Sequence, residues 1–538
     1  MHVGTIDYVI IGIYFVFVIA VGAILKRNMV SSEDFFLAGH KIPSWVTGLA
    51  FISANLGAIE VMGMAASGAQ YGMMTCHFYW LGAIPAMVFL AIFMMPFYYG
   101  SKVRSVPEYL KMRFNEPTRA LNAVSFAVMT VLMSGINLYA MAIVFQLLLN
   151  WSMDVSIAVA AGVVLAYTIL GGLTSSIYNE VLQFFLIVFG ILPVTILGLI
   201  KMGGWQGLTA GFHHPEAVHL WMGTATDNNP IGASWIGLVC GLGFVLSFGY
   251  WCTDFLVIQR ALASESLKAA QRTPLIAAFP KIIFPIFTVL PGLLAVSLVS
   301  GLGKPEMGPS MSYNMALPLL LFQMYPSGLL GLGLTAMLAS FMSGMAGNVT
   351  AFNTVWTYDI YQSYLVKNKS DKHYLWMGRV ATAAGILISV GTAYLVRQFP
   401  NIMDYMQLIF SFFNAPLFAT FLLGMFWKRA TPWGAFWGLV LGTASSFLLY
   451  YLSVIGTIHY ATVMGGNFWR SSEAWLVCFL ATILISFFTK PKPESELAGL
   501  VWGMPNDTAT GEEPWYKRPK VLAVIVLVLT VILNVVFR

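Results

Sequence analysis

Charge is what this sequence has least of: Asp, Glu, Lys and Arg make up 9% of its 538 residues, against 58% hydrophobic residues and a mean hydropathy of +0.78. That balance excludes a soluble enzyme on a single membrane anchor and leaves a chain whose surface faces lipid. Cysteine is scarce as well. Cys76, Cys240, Cys252 and Cys478 stand in apolar stretches without C-x-x-C spacing, which argues against a disulfide framework and a zinc site. No Walker A, G-x-S-x-G or Rossmann fingerprint is present to suggest an enzyme. The longest polar stretches, 201–230 and 490–519, are too short to form a second domain, so one membrane domain is expected over 1–538.

What the chain has instead is a succession of apolar runs of helical length. Only helices and closed barrels satisfy their own backbone in lipid, so each run is read as a helical span. About fourteen are expected, near 7–25, 45–70, 77–99, 120–149, 155–172, 177–200, 231–259, 275–300, 314–358, 375–396, 400–427, 433–455, 470–488 and 520–537. The first lacks a basic segment before it and a small-residue cleavage site after it, and reads as a retained helix.

Threading these spans alternately, with both termini outside, sorts the basic residues sharply. Of 28 Lys and Arg, only Lys201, Lys304, Arg397, Arg470 and Arg538 fall outside, and Lys281 falls within a span. The rest gather inside, as expected for a multi-pass protein of the cell membrane. The net charge of +6 therefore reports orientation in the bilayer and implies no nucleic-acid partner. No obligatory protein partner is implied either.

Between Lys41 and Lys102 the single formally charged side chain is Glu60, in the Gly- and Ser-broken run WVTGLAFISANLGAIEVMGM. An ionised carboxylate costs at least ~2.5 kcal/mol at the centre of a membrane helix, so its retention points to binding or transport. A 4-3-4 spacing puts Ser53, Gly57, Glu60 and Met64 on one helical face. The span at 231–259 has a similar character, with Ser247, Trp251, Asp254 and Ile258 sharing a face beside Tyr250. Five spans separate the starts of these two, so a second set of five is expected upside down relative to the first. Inverted repeats of this kind hold solutes and ions on discontinuous helices near the midplane.

Lys281, in AAFPKIIFPIFTVLPG, is a buried ammonium for which Glu60 is the preferred partner; the alternative is a lysine snorkelling to the inner surface. Ser340, Ser343, Gly344 and Gly347 form a small-residue face. It either supplies hard oxygen ligands for an alkali cation or simply packs closely. Gln407, Ser411 and Asn414 give a polar face to the span at 400–427. His213, His214 and His219 in FHHPEAVHL are a weak metal candidate, since loop histidines are usually just solvated.

Taken together, FFLAGHKIPSW, SANLGAIEVMGMAASGAQYG, SVPEYLKMRF, YTILGGLTSSIYNEVLQ, VIQRALASESLKAAQ, TYDIYQSYL and FLLGMFWKRATPWGAFWG resemble the solute:sodium symporter family, in particular its sodium/glucose cotransporter-like branch. The resemblance spans nearly the whole chain. It implies an all-α membrane protein of about fourteen transmembrane helices with a five-plus-five inverted-repeat, LeuT-type core. The repeats would occupy 45–200 and 231–427, with extra helices at 7–25 and 433–537. It also implies alternating access, with inward sodium flow driving a small solute uphill.

By the same matching, sodium would sit at the carbonyls of Ser53, Leu56 and Ser340 and the hydroxyl of Ser343. Gly344 stands where the family usually has a second hydroxyl. That exchange leaves proton coupling through Glu60 or Asp254 as an alternative. Glu180 takes the family's acidic position on the ion's path. Solute contacts would be Glu60, Tyr79, Gly82, Ser247, Trp251, Lys281 and Gln407, with Tyr250 as inner gate. Glu60 replaces the Gln of the sugar-binding branch, and Tyr79 replaces its acid. The solute expected is a sugar or glycoside; alternatives are an organic cation or amino compound, or a sensor that binds without transporting. No cofactor is implied.

Overall fold

The computed structural model describes residues 3–25, 41–212, 214–503 and 514–538. Among them the secondary structure is helical, relieved by one isolated bridge between Ile42 and Ser264. The principal helices are α1 (Thr5–Leu25), α2 (Ser44–Asn55), α3 (Ile59–Cys76), α4 (Phe78–Gly100), α5 (Val106–Arg113), α6 (Glu116–Leu149) and α7 (Met153–Met202). They continue as α8 (Gly237–Thr253), α9 (Phe255–Leu262), α10 (Leu267–Ile283), α11 (Pro285–Leu298), α12 (Ala316–Met324) and α13 (Leu329–Leu365). The last five are α14 (Asp371–Val396), α15 (Ile402–Phe426), α16 (Pro432–Val454), α17 (Val463–Phe488) and α18 (Pro519–Val536).

Nine helices of the described residues are long and apolar enough to cross a bilayer, and twelve are if each bent pair is one span. Two shorter apolar stretches, Thr5–Val18 and Met153–Ala166, accompany them. The expected spans at 155–172 and 177–200 correspond to the apolar stretches Met153–Ala166 and Ser176–Met202 within the helical element Met153–Met202. The start expected at 470 moves. Thr462 caps α17 by accepting from Gly465 N at 2.9 Å, and Arg470 becomes a buried residue two turns into the helix, over the Tyr450 ring.

Three spans are broken: α2 meets α3 at 62°, α8 meets α9 at 48°, and α10 meets α11 at 51°. Each break has a local cause. At the first, Leu56 leaves helical geometry (φ −73°, ψ 44°), and Ala58 N donates out of the helix to Asn137 Oδ1 at 3.0 Å. At the second, Asp254 is extended (φ −76°, ψ 119°) and its Oδ1 caps α9 by accepting from Leu256 N at 2.9 Å. At the third, Pro285 cannot donate to the ladder. The 4-3-4 stripes read from the sequence therefore do not lie on single faces, because the helical period resets at Leu56 and at Asp254.

At its break the first broken helix meets α6 and α13, both largely buried. Gly57 and Gly344 set the closest approach. A Cβ on Gly344 would lie 2.7 Å from Gly57 Cα and 2.6 Å from Asn137 Oδ1, closer than real contacts allow.

Candidate functional site

The breaks open a cavity between α2, α3, α4, α6, α8, α9, α13 and α15. Two π-helical turns, Ile59–Gly63 and Phe78–Ala83, deliver Glu60 and Tyr79 to its wall. Such turns add a residue to the helical repeat and rotate side chains off the regular stripe, and they recur at functional sites.

Glu60 is 7% exposed and fully engaged. Lys281 donates to its Oε1, and Tyr79 Oη donates to its Oε2 at 2.6 Å. The expected pairing of Lys281 with Glu60 is thus present. Lys281 is held further: its ammonium donates to Asn55 Oδ1 at 2.7 Å and lies about 5 Å from the ring centres of Tyr79, Trp251 and Phe284. It does not snorkel. Asn55 in turn donates to Tyr250 Oη at 2.8 Å, and Tyr79 shares a 2.9 Å hydrogen bond with Thr288. A buried ion pair is stable only when hydrogen bonds satisfy both partners in this way.

Aromatic rings floor and flank the network. Trp251 stacks on Phe51 at 5.7 Å, and Tyr250 stacks on Phe410 at 5.1 Å. Ser247 and Gln407 complete the polar lining, and Gln407 Oε1 is buried without a hydrogen-bond partner among the described residues. An unsatisfied acceptor costs ~1–3 kcal/mol, which a ligand donor would recover. Of the residues expected to touch solute, Glu60, Tyr79, Ser247, Tyr250, Trp251 and Gln407 line the cavity. Gly82 does not: a Cβ there would strike Ser247 Oγ at 2.1 Å, so this glycine makes room for Ser247. Lys281 stands behind the wall and acts through Glu60 and Asn55.

The small-residue face of α13 lies where expected, against the first break. Ser340 Oγ donates to Leu56 O at 2.6 Å, Ser343 Oγ donates to Ser53 O at 3.0 Å, and the Ser53 and Ser343 hydroxyls are 3.4 Å apart. Two carbonyls at the break and two hydroxyls thus converge, an all-oxygen set suited to an alkali cation and not to a transition metal. Gly344 adds no oxygen; Asn137 occupies the neighbouring space.

Glu180 lies off the cavity. Arg260 binds it through Nη2 at 2.6 Å and Nε at 3.3 Å, and Ser176 donates to it at 2.6 Å. The outer-loop histidines form no metal cluster among the described residues; His219 pairs with the carbonyl of Arg538 at 3.0 Å, and His213 lies outside those residues. Tyr71 Oη donates to both oxygens of Asp404, at 2.9 and 3.1 Å, and Asn401 donates to Gln70 at 2.8 Å, joining α3 to α15.

Sequence reasoning passed over Asn55, Asn137, Thr288 and Asn348. The available signal was polarity within an apolar span, which it weighed for the charged residues and for Ser53, Ser247, Ser340, Ser343, Gln407, Ser411 and Asn414 but not for these four.

Residues 35–442 match the family model described as "SSF: Sodium:solute symporter family". Sodium/myo-inositol cotransporter 2 of Oryctolagus cuniculus is 28% identical over 543 aligned residues, covering 92% of this chain and 78% of that one. Sodium/glucose cotransporter 4 of Mus musculus is 29% identical, covering 93% and 78%. Among solved structures, a Na+-coupled sialic acid symporter in a substrate-bound outward-open state superposes with a TM-score of 0.76 at 21% identity, covering 91% of this chain and 99% of that one. Mhp1, a nucleobase-cation-symport-1 family transporter, in a closed conformation superposes at 0.52 with 10% identity, covering 86% and 97%. Both likenesses concern the fold.

Proposed function

This chain belongs to the sodium:solute symporter family, and from that membership we propose that it is a sodium-coupled symporter importing a small polar solute, a sugar or glycoside, by alternating access. The observation that carries the solute class is the Glu60–Lys281 pair with its ligands. Both oxygens of Glu60 are taken by Lys281 and Tyr79, so the upper cavity offers compensated charge and hydroxyl-sized hydrogen-bonding groups beside the Trp251 ring. A neutral polyhydroxylated ring, polar at its rim and apolar on its face, suits that lining. An organic cation pairing with Glu60 would have to displace Lys281. The relatives named for glucose and myo-inositol transport support the same class.

Sodium binds, on this reading, at Ser53, Leu56, Ser340 and Ser343, where its arrival competes with hydroxyl-to-carbonyl hydrogen bonds that join α2 to α13. Ion binding and the angle of the broken helix are thereby linked, which is what coupling requires. The repeats are assigned to 45–200 and 231–427, around a five-plus-five core. The basic-residue asymmetry supports both termini outside in a cell-membrane location. In that orientation the Tyr71–Asp404 contact closes the outer side.

Counterflow in proteoliposomes tests this, using a panel of sugars, polyols and amines with and without a sodium gradient. Sodium-stimulated uptake of a sugar or polyol is expected. Uptake indifferent to sodium and driven by a pH step would overturn it.

A further inference from the structure

Asn137 belongs to α6, yet its carboxamide is bonded to the first break of another helix. Oδ1 accepts from Ala58 N at 3.0 Å. That amide stands at the head of α3, where a helix cannot satisfy its own N–H groups. Gly57 alone separates it from Leu56, whose carbonyl accepts from Ser340 Oγ at 2.6 Å. The two peptide planes share Gly57 Cα, so a shift of the Ala58 amide moves the Leu56 carbonyl.

The same side chain lines the solute cavity and is 2% exposed. Its Nδ2 has no hydrogen-bond partner among the described residues. Thr130, the other polar residue that α6 gives the cavity, turns back and donates to Phe126 O of its own helix at 2.7 Å. With Oδ1 committed to Ala58, Nδ2 is the donor that this wall keeps for a ligand. The wall is also backed. Thr392 Oγ1 on α14 donates to Val131 O at 3.0 Å, and a Cβ on Gly135 would lie 2.8 Å from Ala393 N, so α6 and α14 are in close contact behind Asn137.

We infer that Asn137 links solute binding to sodium binding: Nδ2 donates to a hydroxyl of the bound sugar while Oδ1 holds Ala58 N, so the sugar fixes the carboxamide and, through it, the Leu56 carbonyl offered to the ion. Toward the solute it is a direct contact; toward sodium it is a positioning residue. Before sugar binds, the carboxamide is anchored at one end. Once both ends are anchored, sodium meets a break that is already ordered and binds more tightly, and by linkage sodium tightens the sugar by the same factor. This inference deepens the sodium-coupled reading above and rests on it.

The test is equilibrium binding of 22Na+ to the full-length purified protein in nanodiscs, without sugar and then with saturating glucose, galactose or myo-inositol. In wild type at least one of them is expected to lower the sodium Kd about tenfold, within the usual range for linked sites. Asn137→Ala should still bind sodium alone, more weakly, and lose the sugar-induced shift. Asn137→Asp is of the same size, keeps an acceptor for Ala58 N and removes the amide donor. It should bind sodium alone no more weakly than wild type and lose the shift as well, and it decides the matter by itself if the alanine variant misfolds. A shift of wild-type size in Asn137→Asp would overturn the inference, and so would loss of sodium binding in that variant without sugar. A wild-type protein whose sodium binding no sugar alters would overturn the solute class, and one that binds no sodium would overturn sodium coupling; either result takes this inference with it.

Discussion

Tyr79 donates its hydroxyl to the Glu60 oxygen that Lys281 leaves free, so one carboxylate ties together α3, α4 and α10. The acid and the phenol are thus two ends of one hydrogen bond. Reading them as separate solute contacts understates how strongly each fixes the other.

Glu60→Gln should therefore act on stability as well as transport. It leaves the Lys281 ammonium with neutral acceptors alone, the new amide oxygen and Asn55, and breaking a buried pair costs ~3–5 kcal/mol. The variant should melt lower in detergent and lose solute uptake. The double variant Glu60→Gln/Lys281→Met should recover much of the melting temperature without recovering transport.

At the proposed ion site, Ser343→Ala removes one hydroxyl but leaves the Ser53 carbonyl in place. The sodium concentration for half-maximal uptake should rise roughly tenfold, the equivalent of ~1.4 kcal/mol. Solute affinity at saturating sodium should stay near wild type. An unaltered sodium dependence would remove Ser343 from the ligand set.

Gly344→Ser would add the second hydroxyl that the family resemblance leads one to expect at this position, and is nevertheless expected to harm the protein. The added Cβ meets backbone at Gly57 and the Asn137 carboxamide. Overpacking of this kind costs ~1–3 kcal/mol. Reduced yield of folded protein on size exclusion, without tighter sodium binding, is the expected result.

Gln407→Leu separates binding from folding. The buried Oε1 has no partner, so replacing the amide by an apolar group of similar size should leave the melting temperature unchanged or slightly higher. Solute affinity should fall by about tenfold, the worth of one good hydrogen bond at ~1.4 kcal/mol.

Much of this site is legible in the sequence because charge is so expensive in lipid. A lone acid at 60 and a lone base at 281, each in an apolar run, have little choice but to meet. The Ser340 and Ser343 pair is legible for a related reason: small residues at helical spacing mark a close helix contact, and a Ser- and Gly-broken helix is the natural partner. Periodicity fails at the breaks themselves. It presumes an uninterrupted ladder, whereas Leu56 and Asp254 each restart the count. The Glu180–Arg260 pair is hidden for another reason: both residues lie near expected span boundaries, where charge attracts no attention. Asn137 is hidden because its partner is a main-chain amide exposed by a break in a different helix, and no spacing rule reports that.

The contact between Gly57 and Gly344 constrains what selection can try. A serine at 344 arrives as a packing fault before it can be judged as an ion ligand, and alanine fares no better. A hydroxyl can enter there only after the side chain at 137 has shrunk and the backbone at 57 has drawn back. The order of mutations therefore matters, and most single-step routes from this ion site to the two-hydroxyl pattern are closed.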